Sequence, residues 1–367
     1  MFGKTIEYYK RLNASRNYRL KWFLFAVALW VVIDFFILFR WFIYFPAPVN
    51  KNTSYSFTQL FIWFIFSIGI NSCLAGFLFY VLRKIPKYPH PLFVRFSKTL
   101  ILIAVIIILL IIQYFIELFF FTDTSFNDII NHGVRYLREA KWLFDGIFIK
   151  ILLVLIIIFA FELSQKYTPG FFINTLLGKY DTPREEERII MFMDLKDSTP
   201  VAEQLGHKKF FLFIREFIGS LSNAALNNDG DIYQYAGDEV IVTWPKNDEF
   251  ATKPTQTIIE GRQAIQKRSG YYRSHYGHVP EFRVGIHVGK VMVGKIGVVK
   301  KEIAMTGEAM NTTARIREAC SEFNQKQMVS QHFFDFANPK EWQVEDFGEV
   351  SLKGIEKKDV RLYALKI

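Results

Sequence analysis

Two acidic residues stand at the ends of apolar, β-rich runs: Asp194 in IIMFMDLKDST and Asp238 in DIYQYAGDEVIVTW. Far downstream, Asn311-Thr-Thr-Ala-Arg315 spaces an amide and a guanidinium four residues apart, on one face of a helix. Two carboxylates on strand ends can hold a divalent metal, the rest of its shell being completed by substrate phosphates. An amide–guanidinium pair can steady the charge of a phosphoryl transition state. Taken singly, each aspartate reads most simply as a turn residue, so it is the joint context that points to chemistry.

The carboxylates meet only if the surrounding elements bring them together. Residues 187–194 read as a strand feeding a tight loop. Residues 200–226 have helical periodicity in Val201, Leu205, Phe211, Ile214, Phe217, Ile218 and Leu221, closed by Asn227-Asn-Asp-Gly230. Strands over 232–235 and 240–244 flank Ala236-Gly-Asp-Glu239, a hairpin with Asp238 at its turn. A helix is expected over 254–273, strands over 282–287 and 290–293, a helix over 308–319, and further strands from 342 to 367. The order βαββαβ predicts a ferredoxin-like α+β fold. In that topology the first strand and the hairpin are neighbours, so Asp194 and Asp238 share one sheet end. Leu195, directly after Asp194, is grouped with the metal set. The loop 195–199 runs into a helix N-terminus, whose free amides can hold phosphate oxygens beside Ser198 and Thr199. Two divalent ions, Mg²⁺ or Mn²⁺, would activate a hydroxyl and clamp a triphosphate.

The first half is different in kind. Four apolar stretches, 22–45, 57–80, 99–121 and 143–163, are each long enough for a membrane span. Residues 1–163 carry 17 Lys+Arg and 8 Asp+Glu, whereas 164–367 carry 28 and 27, so the basic excess flanks the apolar stretches. That distribution argues against a nucleic-acid binder and for membrane lipid as the partner. Arg and Lys before the first stretch and between the second and third put both on the cytoplasmic side, which returns the chain to the cytoplasm after four spans. The expected organisation is a cytoplasmic N-terminus 1–21, a four-helix membrane domain 22–163, a linker 164–184 and a catalytic domain 185–367. The linker, broken at Pro169-Gly170, reads either as a transmitter of motion or as a passive tether. Asp34, Arg40, Glu117, Asp145 and Lys150 lie in or beside the stretches, where they form a sensing pocket or pair between helices and snorkel. Two cysteines, Cys73 and Cys320, sit in different halves, and no Cys/His cluster has zinc spacing.

The motifs FMDLKDST, YAGDEV, FRVGIHVGKVMVGKIG, TGEAMNTTARI and VSLKGI occur in the order seen in class III adenylyl/guanylyl cyclase catalytic domains, and residues 185–367 resemble that family. The run LLGKYDTPREEERIIMFMDLKDST is similar to bacterial membrane cyclases, which implies the cytoplasmic (inner) membrane of a bacterium. The resemblance puts Asp194 and Asp238 on metal-binding positions and Asn311 and Arg315 on the transition-state pair. It puts Arg283 and Lys353 on triphosphate-contacting positions. It also implies a homodimer, one protomer giving the carboxylates and its partner the Asn/Arg pair. The base-reading positions depart from the family pattern. Gln234 stands where many adenylyl cyclases have Lys, and Ala304 where they have Asp or Thr. A Gln amide both donates and accepts, so it can pair with adenine or guanine. ATP is the expected substrate by analogy with bacterial relatives, with GTP open. Three rival readings are a non-catalytic signalling module of the same fold, a diguanylate cyclase suggested by Gly237-Asp-Glu239, and a transporter. The retained charged set disfavours the first. Ala236 and the Asn311–Arg315 pair disfavour the second, and the lack of a visible repeat disfavours the third.

Overall fold

The computed structural model of the chain describes residues 177–299, 301–338, 342–352 and 359–366, together with 20, 23–32, 34–35, 57–77, 174–175 and scattered positions from 100 to 134. The chain divides into two compact units, with Arg19–Lys166 the body of one and Tyr167–Ile367 the body of the other.

In the first unit, helix α1 (Phe57–Gly76) falls on the second apolar stretch. Among the described residues no helix is long and apolar enough to cross a membrane. The stretches 22–45, 99–121 and 143–163 lie wholly or partly outside those residues. Asp34, 3% exposed, accepts hydrogen bonds from Ser67 Oγ at 2.9 Å and Asn71 Nδ2 at 2.7 Å. Of the two sequence readings of Asp34, this is the polar link between helical segments, because a buried carboxylate demands donors. Arg40, Glu117, Asp145 and Lys150 lie outside the described residues.

The second unit is built on an eight-stranded sheet. Its elements are β1 (Arg184–Leu195), α2 (Ser198–Asn227), β2 (Asp231–Ala236), β3 (Glu239–Pro245), α3 (Lys253–Lys267), α4 (Ser269–Tyr276), β4 (Phe282–Ile296), β5 (Glu302–Thr306), α5 (Glu308–Glu322), β6 (Gln327–Ser330), α6 (Gln331–Ala337), β7 (Gln343–Val350) and β8 (Val360–Lys366). The sheet order is β2-β3-β1-β4-β6-β8-β7, with β5 paired to β4. The first four strands have the expected ferredoxin-like order, all antiparallel. β6, β8 and β7 extend the sheet beyond that core, β6 running parallel to β4.

The Ile189–Met193 stretch of β1 reads as an unbroken apolar run because both of its faces are covered. Ile189, Met191, Met193 and Leu195 join Phe213, Phe217, Leu221, Ile258, Tyr272 and Tyr276 of α2, α3 and α4 in one core. Ile190 and Phe192 face the other way, onto Met305 of β5 and Ala309 and Met310 of α5. Two expectations are corrected here. The helix expected over 254–273 is two helices that meet at Arg268. There the Arg268 guanidinium pairs with the buried carboxylate of Glu216, which also receives the hydroxyls of Tyr271 at 2.9 Å and Tyr276 at 3.1 Å. The strands expected over 282–287 and 290–293 are one strand, β4.

The glycines of β4 do not end it; they let a helix approach. A Cβ at Gly285 would lie 2.5 Å from Arg317 N and 2.8 Å from Thr313 O, both in the backbone of α5. A Cβ at Gly289 would lie 2.7 Å from Ala309 Cβ. Between these glycines His287 is buried, with Nδ1 2.7 Å from Ser330 Oγ. It is a core histidine inside β4, which continues through it to Ile296.

Two predictions follow from this packing. Gly285→Ala forces a methyl against helix backbone that cannot rotate away, and costs about 2 kcal/mol or more. Thermal unfolding checks it, with Gly270→Ala in α4, which meets nothing within 4 Å, as the control that should not destabilise. Burial, helped by His332, holds His287 down to about 4 from an ordinary 6.5. The unfolded chain therefore binds the extra proton between those values, and stability falls as pH drops from 6.5 toward 4, by up to about 3 kcal/mol from this group. His287→Asn should flatten the fall in unfolding temperature across that window.

Candidate active site

The site begins with strand register. Asp194 at the end of β1 lies opposite Glu239 of β3 on one side and Arg283 of β4 on the other. Asp194 continues the Ile190–Phe192 face, so it is turned toward α5. Ala236 ends β2 and Glu239 begins β3, with Gly237 at φ 65° supplying the left-handed turn that carries Asp238. The two aspartates are thus brought to one sheet end, as the topology predicted. Leu195, grouped with the metal set, follows Asp194 at the end of β1. Its side chain is buried in the core, so only its main chain is available to the site. The Leu195 amide also steadies the Asp194 carboxylate.

A cleft of about 500 Å³ opens beside Asp194, lined also by Arg283 and by Arg315, Arg317, Glu318 and the last residues of α5, Ser321 and Glu322. Arg317 reaches from α5 onto the sheet end. Its Nη1 lies 3.3 Å from Asp194 Oδ2 and its Nε 3.1 Å from Glu239 Oε1. Burial raises the Asp194 carboxyl above its usual range, with Asp238 adding to the rise and Arg317 and Arg283 opposing it. Burial likewise pushes Glu239 up to about 7 against the pull of Arg317, reinforced by Asp194 and Asp238. Three carboxylates crowded at a partly dry strand end make a place that favours cations.

Among the described residues, no group of three or more His, Cys, Asp or Glu is arranged to hold a metal by itself. The two aspartates nevertheless fit a hard ion that takes its remaining ligands from phosphate and water. Asp238 Oδ2 is buried with no hydrogen-bond partner, an anionic acceptor that no protein donor satisfies.

The remaining predicted residues divide. Asn311 and Arg315 share one face of α5, as their spacing predicted. Asn311 is exposed, and Arg315 pairs with Glu318 at 2.6 Å while lining the cleft. Arg283 lies 4.0 Å from Asp197, which holds the left-handed backbone (φ 55°) before α2. Ser198 and Thr199 open α2, where unsatisfied amides are found. Gln234 is exposed on β2, and Ala304 is half-buried on β5 opposite Gly294. Lys353 lies outside the described residues.

Sequence reasoning missed three residues. Arg317 falls on the buried stripe of α5 with Met310, Thr313 and Cys320. A lone arginine on an otherwise buried helical stripe is the signal that could have found it. Glu239 was read as a hairpin residue, not as part of the carboxylate group. Tyr233 sits at a bulge in β2, and its hydroxyl accepts the Met305 amide at 2.9 Å, tying the strand of Gln234 to that of Ala304.

Comparison with known proteins agrees with this geometry. Adenylate cyclase 2 of Rhizobium meliloti (strain 1021) is 29% identical over 200 residues, covering 54% of this chain and 55% of that protein. Adenylate cyclase 1 of the same organism is 25% identical over 157 residues, 40% of this chain and 22% of that protein. The chain therefore spans about half the length of the first relative and about a fifth of the second. A bacterial light-regulated adenylyl cyclase shares the fold, with a TM-score of 0.51 at 16% identity over 59% of this chain and 64% of that one. The profile of the adenylate and guanylate cyclase catalytic domain matches residues 181–367, half of the chain, and the chain belongs to that family.

Proposed function

We propose that the chain is a membrane-anchored purine nucleotide cyclase that converts ATP to cyclic AMP and pyrophosphate as a homodimer. The observation that carries this reading is the sheet end: Asp194 in register between Glu239 and Arg283, with an unpartnered Asp238 oxygen in the adjoining turn. The ribose 3′-oxygen attacks the α-phosphorus, its proton leaves, and the bond to the pyrophosphate oxygen breaks. When bound, two divalent ions, Mg²⁺ or Mn²⁺, supply activation of the 3′-hydroxyl and charge neutralisation of the triphosphate. Asp194 and Asp238 hold them. Arg283, the amides before Ser198 and Thr199, and by family resemblance Lys353 orient the triphosphate. Asn311 and Arg315 meet the charge that grows on the α-phosphoryl oxygens.

The homodimer rests on the family resemblance and on the exposure of Asn311, an amide with no catalytic work to do in water. The names of both Rhizobium relatives favour ATP over GTP. Membrane anchoring rests on the four apolar stretches and the flanking basic residues, and places the catalytic unit on the cytoplasmic side of a bacterial inner membrane.

Asp238→Asn should lower cyclic AMP formation by the whole chain on the order of a hundredfold or more, read with Mn²⁺-ATP. Activity unchanged by that substitution would remove the catalytic reading. Co-assembly of Asp238→Asn with Asn311→Ala chains should restore about a quarter of wild-type activity, because half the dimers regain one intact site. No recovery would mean that each protomer builds its site alone. Gln234→Lys removes the acceptor that guanine N1–H needs, so cyclic GMP formation should fall at least about tenfold relative to cyclic AMP.

A further inference from the structure

The cation on Asp194 in this fold is the protein's own. Arg317 bridges two of the three carboxylates at the sheet end, hydrogen-bonding Asp194 Oδ2 at 3.3 Å and lying 3.1 Å from Glu239 Oε1 as an ion pair without a hydrogen bond, while Asp238 Oδ2 also has no donor. The bridge is held from behind. The backbone of Arg317 lies where a Cβ of Gly285 would collide with it, so the helix carries the guanidinium on a rigid base. Thr313 and Cys320, one turn either side on the same stripe, are fully buried, so the arginine emerges from packed surface rather than from a mobile edge.

We infer that Arg317 is an internal counter-ion that competes with divalent metal for Asp194. This inference rests on the metal-site reading of Asp194 and Asp238 given above. Without metal, the guanidinium offsets the mutual repulsion of Asp194 and Glu239. Metal loading requires it to give up Asp194 while Glu239 retains it. The released Nη1 then faces the cleft that Arg283 and Arg315 also line, where triphosphate oxygens are the matching acceptors. Metal alone therefore binds against an occupied carboxylate, and metal arriving with a nucleotide does not. Arg317 thereby couples metal binding to substrate binding as a positioning residue.

The test is Mn²⁺ binding to the whole chain without nucleotide, read by the electron paramagnetic resonance of free Mn²⁺, with Mn²⁺-dependent thermal unfolding as a second readout. Arg317→Gln should bind Mn²⁺ about tenfold more tightly than wild type and show a larger Mn²⁺-induced rise in unfolding temperature. Arg317→Met, which preserves the packing of the aliphatic stem, should do the same and serves where the glutamine variant fails to fold. Asp194→Asn should abolish the tightened binding in both backgrounds. A folded variant at position 317 that binds Mn²⁺ as wild type does, or more weakly, overturns the inference. Wild-type chain that binds no Mn²⁺, with or without ATP, overturns the metal-site reading and this inference with it. Wild-type binding lost in Asp194→Asn but unaltered by either Arg317 substitution overturns the inference alone.

Discussion

The contact of α5 with β4 is the constraint on which the site depends. It is backbone against strand, with no side chain between, because Gly285 leaves the space that Arg317 N and Thr313 O occupy. A helix seated that closely cannot shift without opening the sheet face behind it. Its seat determines where Arg317 reaches, and which face of α5 carries Asn311 and Arg315. Gly289 repeats the close approach four residues along the strand, against Ala309, and so sets the angle of the helix as well as its depth.

Electrostatics explains why so much charge collects at one strand end. β1 is apolar and buried on both faces from Ile189 to Met193, so the next side chain, Asp194, emerges into surroundings that are only partly wet. Register then brings Glu239 and Arg283 beside it, and the turn adds Asp238. Desolvation and mutual repulsion both work against ionised carboxylates, which raises Asp194 and Glu239 and makes the place one that recruits positive charge. Arg317 supplies part of that charge from within the fold. The same burial that strains the carboxylates strengthens their attraction for any cation, because that attraction is less screened there than in water.

The upstream unit shows the same physics in a simpler form. Asp34 is buried, and Ser67 and Asn71, one helical turn apart, aim their donors at a single carboxylate oxygen. Such a carboxylate specifies how two helical segments face each other, since any other rotation leaves it without donors.

Local pattern was enough to locate much of the catalytic unit. Alternation and helical spacing are local properties, so β1, the hairpin around Asp238, α2 and the start of α5 were all legible, and with them the ferredoxin-like order that joins Asp194 to Asp238. Elements whose identity rests on distant partners were not. β5 and β6 are short strands that exist through pairing with β4, and β4 itself looked divided because its glycines carry no hint of the helix that lies over them. Likewise the i, i+4 spacing put Asn311 and Arg315 on one helix face, whereas Arg317 became part of the site through a contact 123 residues away in sequence. The amino-acid sequence by itself determined which charged groups are available and which share an element. The tertiary structure alone decided that Arg317 pairs with Asp194, because that outcome depends on how closely one helix can approach one strand.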